Sequence, residues 1–210
     1  MTGALLALLS VTVLAAVTDS FPSDGATPGA NWTVTQGLLP VTSSVVKPNS
    51  GGAYAFAYYS GSAWGNDHSS QGELNTNGAG GSDMELTCRA QANGDHYMAM
   101  LNSGSGVMYI YSFVSASFTQ LVNLGIDPGT ATATWKFECS GASPTSLKIY
   151  KNGAQQGSTL TDSTSGLQSG GAPGIGGSTV TASWDDWEGT GESGGGGGSP
   201  RRLLLMGVGQ

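Results

Sequence analysis

Charged side chains are scarce in this sequence, at 10 % of its 210 residues, and only seven of them are lysine or arginine. Two of the seven, Arg201 and Arg202, lie in the last segment of the chain. Nucleic-acid-binding surfaces depend on clustered basic side chains that contact phosphates. The net charge of −7 and the absence of a basic cluster therefore argue against a nucleic-acid partner.

Apolar runs long enough to cross a bilayer are also missing. Residues 4–17, ALLALLSVTVLAAV, are fewer than the roughly 20 apolar residues that a spanning helix needs. This run resembles the apolar centre of a signal peptide, but the basic residues that precede such a centre are absent. Two interpretations stay open for residues 1–17: a signal-like segment, or a first strand or docking arm that packs on the domain or on a neighbouring subunit. We favour the second.

Cysteine occurs only twice, as Cys88 and Cys139, and neither belongs to a CxxC or Cys/His cluster. A zinc site is therefore not expected. Apolar residues alternate up to each cysteine, in 84–88 (MELTC) and in 135–139 (WKFEC), so both cysteines face the core if these runs are strands. A disulfide and two buried thiols remain equally open.

Glycine, in contrast, is abundant, with 35 residues. Glycine supplies the positive φ angles of tight turns, and no part of the domain shows a sustained helical apolar period. About a dozen short strands are expected from the runs of β-forming residues between turn signals. The clearest runs are Asn31–Thr35, Ala53–Tyr59, Asp83–Ala90, His96–Leu101, Val107–Val114, Ala131–Cys139, Ser146–Lys151 and Thr179–Trp187. The main alternative within this class is a barrel or a Greek-key sandwich of another type.

Asn152–Gly153 marks the clearest hairpin, because this dipeptide favours a type I′ turn and alternating apolar residues precede it. Composition divides the rest of the chain. Residues 18–190 form the predicted domain and 191–200 (GESGGGGGSP) a flexible linker. The final segment, 201–210, is an apolar tail that docks on its own domain, docks on another chain, or stays loose.

Several ordered segments resemble one family. Residues 19–34 (DSFPSDGATPGANWTV) resemble the opening of laminin-G-like, concanavalin A-like domains of bacteria and phages. Residues 64–74 (WGNDHSSQGEL) are similar to an internal strand of that family. Residues 165–175 (SGLQSGGAPGI) with 182–189 (ASWDDWEG) resemble its closing pattern. The likeness covers about residues 18–190.

This resemblance implies an all-β, concanavalin A-like jelly-roll sandwich of two antiparallel sheets. Such domains occur in carbohydrate-binding modules, adhesins, phage virion and tail proteins, and some glycosidases. We therefore expect a non-enzymatic surface or virion protein whose lectin-like domain decorates a particle or binds glycans. The alternative is a secreted carbohydrate-binding module or a glycoside hydrolase. Expected partners are glycans or capsid, tail or surface subunits, with a homo-oligomer left open, and the expected location is the virion or the cell exterior.

Four aspartates form a candidate metal site, because the opening and closing segments of this sandwich type are expected to lie close together. Carboxylate and carbonyl oxygens are the ligands of Ca²⁺. The alternative is that these residues only stabilise turns and strand ends. The candidate ligands of a structural Ca²⁺ are Asp19, Asp24, Asp185 and Asp186.

Aromatic residues next to polar residues indicate a candidate glycan site, because rings stack on the apolar faces of sugars. We expect most rings of the chain, including Trp184, Trp187, Tyr58 and Tyr59, to lie in the core. The candidate carbohydrate-binding residues are Trp64, Asn66, Asp67, His68, Tyr109 and Tyr111.

Catalytic signatures are fragmentary. Related glycosidases carry an E-x-D-x-x-E run, of which 83–85 (DME) supplies only two members. The acids of 186–188 (DWE) match the closing strand of the fold, and His68 and His96 belong to no triad pattern. No catalytic residue is therefore predicted.

Overall fold

A computed structural model describes residues 14–48, 54–75, 83–102, 106–178 and 181–193. These ranges contain fifteen β-strands and no helix, in agreement with the all-β prediction. The described residues accordingly contain no helix that is long and apolar enough to cross a membrane. Residues 1–13, most of the predicted linker and the whole predicted tail lie outside the described ranges.

The strands follow one another with short connections. In chain order they are β1 (Leu14–Asp19), β2 (Trp32–Gln36), β3 (Val41–Thr42), β4 (Val45–Val46), β5 (Ala55–Tyr59), β6 (Trp64–Asn75), β7 (Asp83–Ala90), β8 (His96–Asn102), β9 (Val107–Val114), β10 (Ser117–Asn123), β11 (Ala133–Ser140), β12 (Thr145–Lys151), β13 (Ala154–Asp162), β14 (Ala172–Gly177) and β15 (Ser183–Ser193).

Two antiparallel sheets pack face to face. Sheet A has eight strands in the order β13-β12-β11-β6-β15-β4-β3, with β1 paired to β15 as well. Sheet B has seven strands in the order β10-β9-β8-β7-β14-β5-β2. All described strand pairs are antiparallel, and non-consecutive strands are neighbours in both sheets. The expected jelly-roll sandwich is therefore confirmed.

The core lies between the sheets and follows from strand alternation. The inward residues of β11, among them Trp135 and Phe137, are fully buried, whereas the residues between them are half-exposed. Trp184 and Trp187 are also fully buried, as predicted for most rings. Burying large aromatic side chains of this kind contributes about 2–3 kcal/mol each to folding.

A disulfide connects the two sheets. Cys88 of β7 in sheet B and Cys139 of β11 in sheet A have Cα atoms 6.2 Å apart, within the usual range for a disulfide, and both are buried. Both cysteines face the core, as the alternation in 84–88 and 135–139 predicts. Of the two states left open by the sequence, the structure contains the disulfide.

The hairpin between β12 and β13 has the predicted turn. Lys151 pairs with Ala154, and the two residues between them have positive φ angles, 48° at Asn152 and 80° at Gly153. Two consecutive positive φ angles define a type I′ turn, so this prediction is confirmed.

Both ends of the sandwich extend past the boundaries expected at residues 18 and 190. β1 begins at Leu14, and β15 continues through Ser193 into the segment that composition assigns to a linker. The glycines of β15 are needed for close packing: a Cβ atom at Gly189 would lie 2.6 Å from the ring of Trp187. Pairing with β6 and β1 on its two sides keeps this glycine-rich segment extended.

Candidate functional site

The predicted polar and aromatic residues of 64–68 lie in β6, where hydrogen bonds tie them to the fold. The half-buried indole of Trp64 donates to a backbone carbonyl at 3.1 Å. The side-chain oxygen of Asn66 accepts the backbone N–H of Gly170 at 2.8 Å. Asp67 accepts the backbone N–H of Gly141, also at 2.8 Å. These side chains therefore stabilise two loops at one end of the sandwich.

His68 is buried between the sheets. Its Nδ1 lies 2.9 Å from the carbonyl of Gly65, and its Nε2 accepts the backbone N–H of Arg89 at 2.9 Å. Because Nε2 is an acceptor, the proton of the neutral ring is on Nδ1 and is donated to Gly65. Burial lowers the pKa of His68 to about 4. The ring is therefore neutral at physiological pH, and both its nitrogens are already engaged.

A cavity of about 210 Å³ borders this segment on the sheet A side, between β6, β11 and β15. Its polar lining is already paired: Ser69 hydrogen-bonds Thr190 at 2.7 Å, and Glu138 contacts Lys136 and Lys148 at 3.1 Å each. The volume is below that of typical small-molecule sites, which begin at about 300 Å³. We expect little capacity for a sugar ring in this cavity.

Two of the four predicted metal ligands are occupied by hydrogen bonds of the opening segment. The carboxylate of Asp19 accepts the backbone N–H of Phe21 at 2.8 Å and the indole N–H of Trp32 at 2.9 Å. The carboxylate of Asp24 accepts the backbone N–H of Ser43 at 2.7 Å. Asp19 thus anchors a buried tryptophan, and Asp24 stabilises a turn.

The structure brings only part of the predicted metal set together. Asp19 and Asp186 line one cavity of about 350 Å³ with Glu188, between β1 and β15. Asp24 and Asp185 are outside this lining, and Asp185 accepts the backbone N–H of Asp186 at 2.8 Å. Among the described residues, no group of three or more His, Cys, Asp or Glu side chains is arranged to hold a metal. A structural Ca²⁺ stays a prediction.

The outer face of sheet B carries the remaining predicted residues. Tyr109 and Tyr111 lie on the same face of β9, half-buried, with ring centroids 5.7 Å apart. Phe118 on the edge strand β10 is 48 % exposed and lies 6.3 Å from Tyr111 and 5.5 Å from Tyr54. These four rings, Tyr109, Tyr111, Phe118 and Tyr54, are called the aromatic row below. The row is separate from the 64–68 segment, which belongs to sheet A.

The alternation of side chains along β9 explains why its tyrosines lie on the outer face of sheet B. Met108 and Ile110 of β9 face the core, so the tyrosines between them face outward. Phe118 pairs with Phe113 across the β9–β10 ladder, and their ring centroids are 4.6 Å apart. Sequence reasoning missed Phe118 and Tyr54. One feature of the sequence pointed to Phe118. Phe113 follows Tyr109 and Tyr111 at alternate positions of β9, so it lies on their face and packs against a residue of the next strand.

Polar groups adjoin the row. Asp83 of β7 pairs with Asn102 of β8, whose side-chain amide donates to the Asp83 carboxylate. The hydroxyl of Ser178 donates to the same carboxylate at 3.2 Å. Burial raises the pKa of Asp83. Burial, followed by the charges of Tyr109 and Asp83, also raises the pKa of Tyr111, which places this carboxylate within electrostatic reach of the row.

A buried polar chain runs beneath the row. The ring nitrogens of His96 lie 2.7 Å (Nδ1) from the carbonyl of Gly94 and 2.8 Å (Nε2) from the hydroxyl of Tyr54. Because Nδ1 must carry the proton that Gly94 accepts, the Tyr54 hydroxyl donates to Nε2. Burial lowers the pKa of His96 to about 4.

Glu85 lies in the same layer and is fully buried, and neither of its carboxyl oxygens has a hydrogen-bond partner among the described residues. Burial raises the pKa of Glu85 well above its usual range, against a smaller lowering effect of the nearby Tyr54 hydroxyl. Because Glu85 has no exposed surface, it cannot contact a substrate in this arrangement. The acid pair in 83–85 therefore does not form an open catalytic site.

Glycines of β14 create the room for this layer. A Cβ atom at Gly176 would lie 2.9 Å from a carboxyl oxygen of Glu85, and one at Gly174 would lie 2.7 Å from the hydroxyl of Thr87. Both contacts are shorter than real Cβ atoms allow. Glycine at positions 174 and 176 is thus required by close packing against the side chains of β7 and the backbone of β5.

Comparison with known proteins identifies the fold. The sequence matches no protein-family model and no curated protein. Solved structures are similar to it. The carbohydrate-binding module CBM66 from Bacillus subtilis has a TM-score of 0.57 at 18 % identity, over 77 % of this chain and 92 % of that chain. The lectin UEA-II, complexed with galactose, has a TM-score of 0.53 at 8 % identity, over 84 % and 98 %.

A phage protein is also similar. The CBM2 module of the evolved Dit protein of Lactobacillus casei BL23 phage J-1 has a TM-score of 0.51 at 11 % identity, over 84 % of this chain and 95 % of that module. Identities this low establish a shared fold and nothing further. The structure is therefore a sandwich of the kind found in lectins and carbohydrate-binding modules, as the resemblance to concanavalin A-like domains implies.

Proposed function

We propose that this chain is a non-enzymatic, lectin-like domain that binds glycans on the outer face of sheet B. The observation that carries the proposal is the aromatic row, in which four connected rings lie partly exposed across two neighbouring strands and the start of a third.

The chemistry of the row suits a sugar. Pyranose rings present C–H groups that stack on aromatic faces, and polar groups at the margin bind their hydroxyls. Gln120 and Asn102 supply amides, and Asp83 supplies a carboxylate. Gln120 already accepts the hydroxyl of Tyr111 at 3.3 Å, so it lies at the level of the rings.

The similar structures support this assignment. One is named a carbohydrate-binding module, and another is a lectin that was solved with galactose. The closed position of Glu85 also favours binding over catalysis, because a glycosidase needs two accessible carboxyl groups that flank the bond to be broken.

A glycan array tests the proposal. We expect the protein to bind a subset of glycans and Tyr111→Ala to weaken this binding about tenfold or more, as is common for a central aromatic contact. Tyr150→Ala is the matched control, since Tyr150 is equally half-buried but lies on the outer face of sheet A. Binding that survives Tyr111→Ala but is lost in Trp64→Ala would move the site to the 64–68 segment of β6. A protein that binds no glycan would contradict the proposal.

A second candidate role is that of a structural or adhesive component of a virion or cell surface. The similar module of a phage Dit protein favours this role, as does the apolar composition of residues 4–13 and 201–210, which suits docking on partner subunits. Fractionation of the natural source tests it. We expect the chain in sedimenting particles or envelopes, and its recovery only as a free protein would contradict this role.

A further inference from the structure

Most of the described basic side chains lie on sheet A, away from the aromatic row. Lys136 and Lys148 both contact Glu138 at 3.1 Å on the outer face of sheet A. Lys151 at the end of β12 donates to the carbonyl of Pro128 at 2.6 Å. Lys136 and Lys148 are therefore held on the opposite outer face, and Lys151, whose Nζ lies 5.1 Å from the ring centroid of the buried Trp135, is held at the end of β12.

Neither of the other two described basic residues occupies an outer-face position of a sheet B strand. Arg89 is buried, and its guanidinium donates to the backbone carbonyls of Gly141 and Leu167 at the end of the sandwich. Lys47 follows β4, which belongs to sheet A. No strand of sheet B within the described ranges carries a lysine or arginine on its outer face.

The charge near the row is negative. The half-buried Asp83 on β7 accepts the side-chain amide of Asn102, and Asn102 lies opposite Val107 of β9, two residues before Tyr109. A carboxylate or sulfate group on a ligand would be repelled by this negative charge, and the outer face of sheet B offers no described lysine or arginine to offset the repulsion. The repulsion is stronger in a partly desolvated site than in water. The face therefore disfavours acidic sugars.

The shape of the row indicates an extended ligand. Successive rings are separated by 5.7, 6.3 and 5.5 Å from Tyr109 through Tyr111 and Phe118 to Tyr54. Phe118 stands edge-on to Tyr111 and Tyr54, at interplanar angles of 81° and 87°, so the four rings form a stepped surface and not a flat platform. Because this surface extends over three such separations, contact with all four rings requires several linked sugars. The two cavities described above both belong to sheet A, and neither offers this face a closed pocket for a chain end.

We propose that the aromatic row binds an internal stretch of a neutral polysaccharide, at least three sugars long, and discriminates against polysaccharides that carry carboxylate or sulfate groups. This inference rests on the proposed glycan-binding function and specifies the class of ligand for the same site.

The first experiment measures affinity for matched neutral and anionic polymers, namely dextran and dextran sulfate, hydroxyethylcellulose and carboxymethylcellulose, and agarose and carrageenan. We expect binding to at least one neutral polymer, with its anionic counterpart bound about tenfold more weakly at low ionic strength and the gap narrowing as salt is added. Equal or tighter binding of the anionic polymers would overturn the inference and leave glycan binding intact. Binding to neither class would contradict the proposed function itself.

A charge insertion tests the electrostatic cause. Gln120→Lys places a cation beside Tyr111 on the exposed edge strand, and Gln71→Lys places the same charge on β6, on the opposite outer face. We expect Gln120→Lys to strengthen binding of the anionic counterpart severalfold and Gln71→Lys to leave it unchanged. An equal effect of the two variants would overturn the assignment to the row. Thermal melting of both variants confirms that they are folded.

Competition by oligosaccharides of the bound neutral polymer tests how many linked sugars the aromatic row contacts. We expect competition to improve from the mono- to the trisaccharide by about tenfold or more and to level off thereafter. A monosaccharide that competes as well as the trisaccharide would overturn the extended mode, because it would indicate recognition of a single unit.

Discussion

The outer faces of the two sheets differ in how their charged side chains are placed. On sheet A, Lys136, Glu138 and Lys148 form a half-exposed cluster in which each charge has a partner, and Lys136 lies 4.3 Å from the ring centroid of Tyr150. On sheet B, Glu85 is fully buried and forms no ion pair with any described residue.

The outer face of sheet A is therefore an ordinary solvated surface. The outer face of sheet B is partly buried and resembles a second core. Phe56 and His96 of sheet B are buried on the outer side, with ring centroids 4.1 Å apart. Half-exposed ion pairs contribute little to stability, whereas buried polar groups are sensitive to any change in charge. Four predictions test this contrast, beginning with the largest expected effect.

Acid should destabilise the protein chiefly through its buried histidines. The pKa of His68 and of His96 falls from about 6.5 to about 4 on folding, so each stabilises the fold above pH 6.5, and this contribution is lost as the pH decreases towards 4. A shift of this size corresponds to about 3 kcal/mol for each histidine. Denaturant titrations between pH 7 and pH 4 measure the loss, and His96→Gln should remove about half of the pH dependence.

Glu85 should act in the opposite direction over this range. Its pKa is raised on folding, so its contribution to stability is present at low pH and is lost as the pH rises. Glu85→Gln, which keeps the shape of the neutral carboxyl group, should therefore steepen the loss in acid. A flat stability profile for the unmodified protein would contradict the buried, neutral state of both histidines.

Gly174→Ala should destabilise the protein by about 3 kcal/mol, because the added methyl group overpacks a closed layer. Its Cβ atom would lie 2.3 Å from the carbonyl oxygen of Ala57. Gly72→Ala in sheet A is the control, where the nearest atom would be a ring carbon of Trp184 at 3.0 Å and a smaller effect is expected. Chemical denaturation compares the two variants, and equal losses would show that the β14 layer is not specially tight.

Glu138→Gln should have the smallest effect, below about 1 kcal/mol, because both of its ion pairs are half-exposed. The two lysines lower the pKa of Glu138, so this contribution is lost as the pH falls through the acidic range. Denaturant titration at low and high salt measures it, since added salt should weaken the wild-type interaction. A loss as large as that of Gly174→Ala would contradict the contrast between the faces.

Much of the fold was predictable because strand composition and turn residues act over a few neighbouring positions of the sequence. Strands β7 and β9 have the bounds expected from their composition, and the Asn152–Gly153 turn has the expected conformation. Strands β3, β4, β10 and β14 were missed. In β14 the residues are mostly small, and only the neighbouring strands β5 and β7 make this segment a strand.

The candidate site was predictable only in part. Alternation along β9 indicates that Tyr109 and Tyr111 share a face, and the structure agrees. Phe118 and Tyr54 join them through contacts between strands that are not defined by spacing along the chain. Trp64 was a reasonable candidate by composition, yet it is separated from these rings because β6 belongs to the other sheet.

The sequence by itself therefore determined the all-β class, the inward direction of both cysteines and the shared face of the β9 tyrosines. These properties depend on the period of two within a strand and on local turn chemistry. Only the tertiary structure decided that Asp24 and Asp185 lie outside the cavity of Asp19 and Asp186, that Glu85 is closed off, and that four rings form one row. Those outcomes depend on which strands become neighbours, which is set by long-range packing.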